Sequence, residues 1–150
     1  MEKVIKAIST LFYLGELKKA PGTFASLFSF IVFWFVYTGT YLNFSIFLVF
    51  SVLSIFICDQ AEVVFKSKDD QRIVLDEFVG SFFSIILLPK NVWFYLFAFI
   101  LFRIFDIVKP LFIKKSQKLR GGLGIVLDDI LAGMLTTLTM VIAMLIFYKK

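Results

Sequence analysis

Two pairs of adjacent carboxylates, Asp76-Glu77 and Asp128-Asp129, stand at the edges of long apolar runs in this 150-residue chain. A further acid, Asp106, sits between two bases, Arg103 and Lys109, at the edge of another such run. Neighbouring acids at a lipid boundary repel one another and lose hydration, and a cation held among them offsets both costs. Oxygen ligands of this kind suit a hard divalent ion such as Mg2+. Arg103, Asp106 and Lys109 are spaced three apart, so one helix face can present two cations to a phosphate beside the metal. The competing reading is an interfacial salt bridge whose two long bases reach toward the headgroups.

Two other stretches could hold phosphate. In Lys19-Ala20-Pro21-Gly22-Thr23-Phe24-Ala25-Ser26, proline and glycine break the chain just before a helix. Free backbone N–H groups, with the hydroxyls of Thr23 and Ser26, would then form a workable phosphate cradle. A plain helix cap by Thr23 explains the same residues. In Gly121-Gly122-Leu123-Gly124-Ile125-Val126-Leu127-Asp128-Asp129, a glycine-rich loop is expected to lead to paired aspartates that open the last apolar helix. The loop matches neither the Walker pattern nor the dinucleotide fingerprint, and no nucleic-acid partner is expected. Gly80 and Gly133 each follow an acid by one turn, where they allow a neighbouring helix to approach.

Several chemistries are excluded by composition. There is no histidine and one cysteine, Cys58, so phosphohistidine mechanisms, internal disulfides and Cys/His zinc sites are ruled out. Val64 stands where a thiolate phosphate loop would need arginine. No Asp-x-Asp nucleophile is present, which favours attack by water over a covalent aspartyl-phosphate. What remains is a metal-dependent site for a phosphorylated lipid.

The elements that must position these residues are helices in a membrane. Apolar residues make up 60% of the chain and 21 residues are phenylalanine, more than a water-soluble domain of this size can bury. Apolar runs at 24–37, 42–58, 78–88, 92–105 and 130–148 predict an all-α polytopic bundle of about five short transmembrane helices, forming one domain. Turns are expected at Gly39-Thr40 and at Pro89-Lys90-Asn91. The third run, if begun near Ile73, draws Asp76 and Glu77 into its helix. Ahead of these, Val4, Ile5, Ile8, Leu11 and Phe12 recur at helical spacing and predict an amphipathic helix, lying at the membrane surface or packed against the bundle. With the amino terminus in the cytoplasm, thirteen of the 16 basic residues fall inside, and only Lys90, Lys149 and Lys150 outside. That is the asymmetry expected of a multi-pass protein with cytoplasmic basic loops. All 11 acidic residues fall on the same inner side.

Four ordered strings together identify a likeness: Ala20-Pro21-Gly22-Thr23, Ile73-Val74-Leu75-Asp76-Glu77-Phe78-Val79-Gly80, Phe102-Arg103-Ile104-Phe105-Asp106-Ile107-Val108-Lys109-Pro110, and Gly121 through Gly133. They resemble bacterial phosphatidylglycerophosphatase A over nearly the whole chain. Ala25 and Val126 depart from residues usual in that family, while no matching acidic position is lost. The resemblance implies a Mg2+-dependent enzyme of the bacterial cytoplasmic membrane that converts phosphatidylglycerol phosphate to phosphatidylglycerol and inorganic phosphate. Its site would face the cytoplasm, with Asp69, Asp76, Glu77, Asp106, Asp128 and Asp129 around the metal. Lys19, Gly22, Thr23, Ser26, Arg103 and Lys109 would meet the phosphate. A cation transporter or channel using the same carboxylates is the alternative, but it predicts charge at the span centres, which are bare.

Overall fold

The computed structural model describes residues 1–37 and 39–147, and among these every regular element is helical. Tyr148, Lys149 and Lys150, which the sequence reading placed at the outer end of the last span, lie outside the described residues. Seven α-helices follow one another: α1 (Glu2–Ser9), α2 (Pro21–Val36), α3 (Thr40–Phe65), α4 (Leu75–Phe83), α5 (Val92–Val108), α6 (Leu111–Ser116) and α7 (Gly122–Phe147).

The amphipathic first helix forms but ends earlier than its apolar spacing suggested. Thr10 Oγ1 donates back to the Lys6 carbonyl at 2.8 Å and accepts the Tyr13 N–H at 3.0 Å. The chain then reverses through Leu11, Phe12 and Tyr13, all with positive φ. Lys6 and Glu16 clamp the reversal with a 2.6 Å ion pair. Leu11 and Phe12 therefore belong to the turn and not to the helix face.

Helices α3 and α7 have 26 residues each, about 39 Å at 1.5 Å per residue. Both are long and apolar enough to cross a membrane. Their outward faces leave Val49, Phe56, Leu138 and Leu145 exposed, as a lipid-facing surface requires.

The third expected span behaves differently. Helix α4 has only 9 residues, about 13 Å, under half of a ~30 Å hydrocarbon core. Ser81 and Ser84 hydroxyls bond back to the carbonyls of Phe78 and Ser81, and the chain continues through turns to Leu88. Irregular backbone away from water needs protein to cover it and satisfy its polar groups. Here it is covered: Phe82, Ile85, Ile86 and Leu88 are 1–2% exposed. Phe33 of α2 stacks on Phe82 with ring centroids 3.3 Å apart, and Phe47 of α3 meets Phe83 edge-on at 4.7 Å. Hydroxyls from two neighbours complete the cover, Ser29 donating to the Phe78 carbonyl at 2.7 Å and Thr137 to that of Phe83 at 3.1 Å.

Helix α7 crosses α4 at their glycines. A Cβ on Gly80 would lie 2.5 Å from the Asp129 carbonyl oxygen, and one on Gly133 would collide with the Gly80 carbonyl. This close crossing brings the two acidic segments face to face. The stretch expected to be a glycine-rich loop is mostly helix. Gly121 alone takes the turn, with φ +66, and α7 starts at Gly122. The Gly122 N–H donates to Asp59 Oδ1 of α3 at 3.3 Å, so a neighbouring helix supplies the cap. Asp128 and Asp129 accordingly lie about two turns inside α7, not at its opening.

Candidate functional site

The amino-terminal ends of α2 and α4, the last turns of α5, the second turn of α7 and the 69–73 loop enclose a polar cavity of about 360 Å3. Asp76 and Glu77 reach it from the first turn of α4, and Asp129 from α7. One oxygen from each of these three carboxylates lies within 4.8 Å of the others. Asp76 and Asp129 are 7% and 2% exposed. Asp76 Oδ1, Glu77 Oε2 and Asp129 Oδ1 are all buried without a hydrogen-bond partner. Like charges about 5 Å apart repel by roughly 3–4 kcal/mol per pair at an effective dielectric of 20. Three carboxylates that converge this closely, each with one buried oxygen lacking a donor, are a set that could hold a hard cation.

Two bases line the same cavity. Arg103 Nη1 donates to Asp106 Oδ2 at 2.6 Å and more weakly to Ser26 Oγ at 3.4 Å. Ser26 Oγ in turn donates to the Gly22 carbonyl at 2.8 Å. These bonds fix the guanidinium while its Nε–H, also buried, has no partner. Lys109 Nζ sits 3.9 Å from Asp106 and 2.5 Å from Asp128 Oδ2. The three-residue spacing on α5 thus does bring Arg103 and Asp106 together, while Lys109 joins them from the left-handed cap just past the helix end, with φ +45.

The expected site residues separate into groups. Asp69, Asp76, Glu77, Gly22, Arg103, Asp106, Lys109 and Asp129 line the cavity. Asp128 is turned away and paired with Lys109. Asp69 is exposed on the rim, outside the close trio, and its N–H donates to Glu62 at 2.8 Å. Gly22 lies so close to Glu77 that a Cβ there would overlap the carboxylate, which makes it a spacer as much as a cradle. Ser26 acts on Arg103. Lys19 is exposed, and neither it nor Thr23 is part of the cavity wall.

Other residues enter that the motifs had left aside. Gln71 and Asp70 form part of the wall. The Arg72 guanidinium donates two hydrogen bonds to Asp70 and holds its carboxyl below the usual range. Asp59 and Glu62, one turn apart near the end of α3, bond the backbone at Gly122 and Asp69 and so anchor two segments of the site. Their i, i+3 spacing at a helix end was the available signal.

Lys109→Met is expected to destabilise the protein by about 3 kcal/mol, because it strands Asp128, whose side chain is 4% exposed, as an unpaired buried charge. Adding Asp128→Leu should recover most of that loss. Chemical or thermal unfolding of the single and double variants checks this.

Comparison with known proteins agrees with the motifs. The profile of the family described as Phosphatidylglycerophosphatase A matches residues 7–144. The chain is similar to the Phosphatidylglycerophosphatase A of Haemophilus influenzae, 37% identical over 134 residues that cover 85% of this chain and 81% of that protein. It is also similar to the Escherichia coli protein of the same name, 36% identical over 122 residues covering 77% and 69%. A Bacteroides thetaiotaomicron protein provisionally named a phosphatidylinositol-3-phosphatase is 34% identical over 145 residues, 91% of each chain. No solved structure matches. With the profile spanning almost all of its length and two relatives of that name above one-third identity, the chain belongs to the phosphatidylglycerophosphatase A family.

Proposed function

We propose that this enzyme removes the terminal phosphate of phosphatidylglycerol phosphate with Mg2+ held by Asp76, Glu77 and Asp129, at the cytoplasmic face of a bacterial inner membrane. Phosphatidylglycerophosphatase activity follows from the family; the metal, its ligands and the orientation are the added reading. The observation that carries it is the set of four buried, unpartnered polar atoms on residues that line one cavity: three carboxylate oxygens and the Arg103 Nε–H. The first three suit a cation and the fourth suits an anion, which is the pairing a metal-bound phosphomonoester needs.

Bound Mg2+ would supply Lewis acidity toward the phosphoryl oxygens. The protein's own groups do the rest. Arg103, held by Asp106 and Ser26, directs its free Nε–H at a phosphate oxygen and balances charge as the phosphorus–oxygen bond breaks. Lys109 adds positive charge in the same cavity. A cavity carboxylate accepts a proton from the attacking water as the new phosphorus–oxygen bond forms, and returns it to the glycerol oxygen as the old one breaks, so the product leaves as an alcohol. The apolar helices let the acyl chains stay in the bilayer while the headgroup enters the cavity. In this topology α2, α3, α5 and α7 cross the membrane, and α4 with the covered 84–88 turn makes a fifth pass inside them.

Phosphate release from phosphatidylglycerol phosphate by the detergent-purified protein, with Mg2+ titrated, tests the reading. Metal-dependent release is expected. Phosphatidylinositol 3-phosphate belongs in the same assay, since the name of one relative specifies that substrate; preferential release from it would move the assignment to that lipid. Ion flux into proteoliposomes with no lipid turnover would replace the enzyme reading with the transporter.

A further inference from the structure

Between α2 and α5 runs an apolar groove of about 260 Å3 whose floor is aromatic. Phe30 meets Phe99 and Tyr95 edge-on, with centroids 5.6 and 5.9 Å apart. Leu27 and Ile31 of α2 and Leu96 of α5 form its rims and are exposed. The groove continues the polar cavity along the same helix faces. On α5, Tyr95, Phe99, Arg103 and Asp106 follow one another at three- or four-residue steps, one stripe of the helix. On α2, Gly22, Ser26 and Phe30 do the same. The Arg103–Ser26 contact, at 3.4 Å, is where the polar stretch ends and the apolar one begins.

Depth agrees with this continuity. Groove residues on α5 run from Phe99 to Val92, which places them roughly 6–17 Å from Arg103 at 1.5 Å per residue. One leaflet of a ~30 Å hydrocarbon core is about 15 Å deep. A lipid whose headgroup enters the polar cavity therefore has chains that run at the depth of these rings.

We propose that this groove seats one acyl chain of the lipid phosphomonoester whose headgroup occupies the polar cavity, so that α2 and α5 select the substrate by its hydrocarbon as well as its phosphate. The proposal rests on the lipid-phosphatase reading above. It assigns the groove one occupant, a substrate chain, in place of ordinary bilayer lipid exchanging at the surface.

The test compares kcat/KM for dioleoyl and dihexanoyl phosphatidylglycerol phosphate in mixed micelles containing Mg2+. The proteins are wild type, Ile31→Trp, Leu96→Trp and, as a control, Leu138→Trp on the exposed face of α7 outside the groove. The short chains bury far less hydrocarbon, so a filled groove should penalise them less than the long ones. Ile31→Trp and Leu96→Trp are expected to lower the long-to-short ratio about tenfold, with the control ratio unchanged. An unchanged ratio in both groove variants, or an equal fall in the control, overturns the acyl site while leaving the enzyme active. Absence of turnover of either lipid by the wild type overturns the activity reading and this inference with it.

Discussion

Asp129→Asn and Asp76→Asn are each expected to lower Mg2+-dependent phosphate release by about 10³-fold, close to 4 kcal/mol of transition-state stabilisation at ~1.36 kcal/mol per decade. Each variant neutralises one of three carboxylates whose oxygens converge within 4.8 Å. Asparagine keeps the shape and one carbonyl oxygen but removes the negative charge, so the loss reports charge at the metal and not packing. A second readout separates this from a fold defect. In EDTA the wild type must bear the mutual repulsion of three buried acids, and neutralising one relieves it. The variants should therefore unfold at a higher temperature than wild type without metal, and gain less on adding Mg2+. For wild type the gain at a hundredfold excess over Kd is about 2.7 kcal/mol. Equal rates in variant and wild type, or equal stabilisation by Mg2+, would remove these carboxylates from the site.

Gly80→Ala is expected to damage fold and activity together. Its new Cβ would sit 2.5 Å from the Asp129 carbonyl oxygen and 2.6 Å from the Asp129 Cβ. Real Cβ atoms do not approach that closely, so α4 and α7 must separate. Overpacking of this kind costs about 1–3 kcal/mol. The displaced residue is also a metal ligand in the proposed site, so folded Gly80→Ala protein should still have at least tenfold lower kcat. Unfolding curves and assays on the same detergent-purified sample measure both. A variant with normal stability and normal kcat would contradict the close crossing of α4 and α7.

Part of the grouping of the candidate residues was legible, because local chemistry and helical geometry fix it at these positions. Three-residue spacing placed Arg103 and Asp106 on one face of α5, and Lys109, expected on that face, instead pairs with Asp106 from the left-handed cap after the helix. Small residues one turn past an acid, Gly80 and Gly133, marked a close helix crossing. Asp128 and Asp129 could not be told apart in the same way. Adjacent helical residues differ by about 100° in direction, and only the position of α5 decides that Asp129 meets the cavity while Asp128 meets Lys109. The stretch from Phe78 to Leu88 is equally apolar whether it crosses lipid or lies inside protein, so hydropathy cannot reveal that α4 stops at Phe83. Gly121 to Gly124 read as a loop because glycine disfavours helix. The cap that overrides this comes from Asp59, 63 positions away. Helix α6, a short element between Pro110 and Gly121, carried too few residues to show a period.

Calorimetric titration of Mg2+ into detergent-purified wild type and Asp129→Asn, with phosphate release followed on the same samples, addresses the metal most directly. Saturable binding by wild type, at least tenfold weaker in the variant and rising in step with hydrolysis, is the predicted result. Undiminished affinity in Asp129→Asn, or full hydrolysis by wild type in EDTA, would contradict a cation held by Asp76, Glu77 and Asp129.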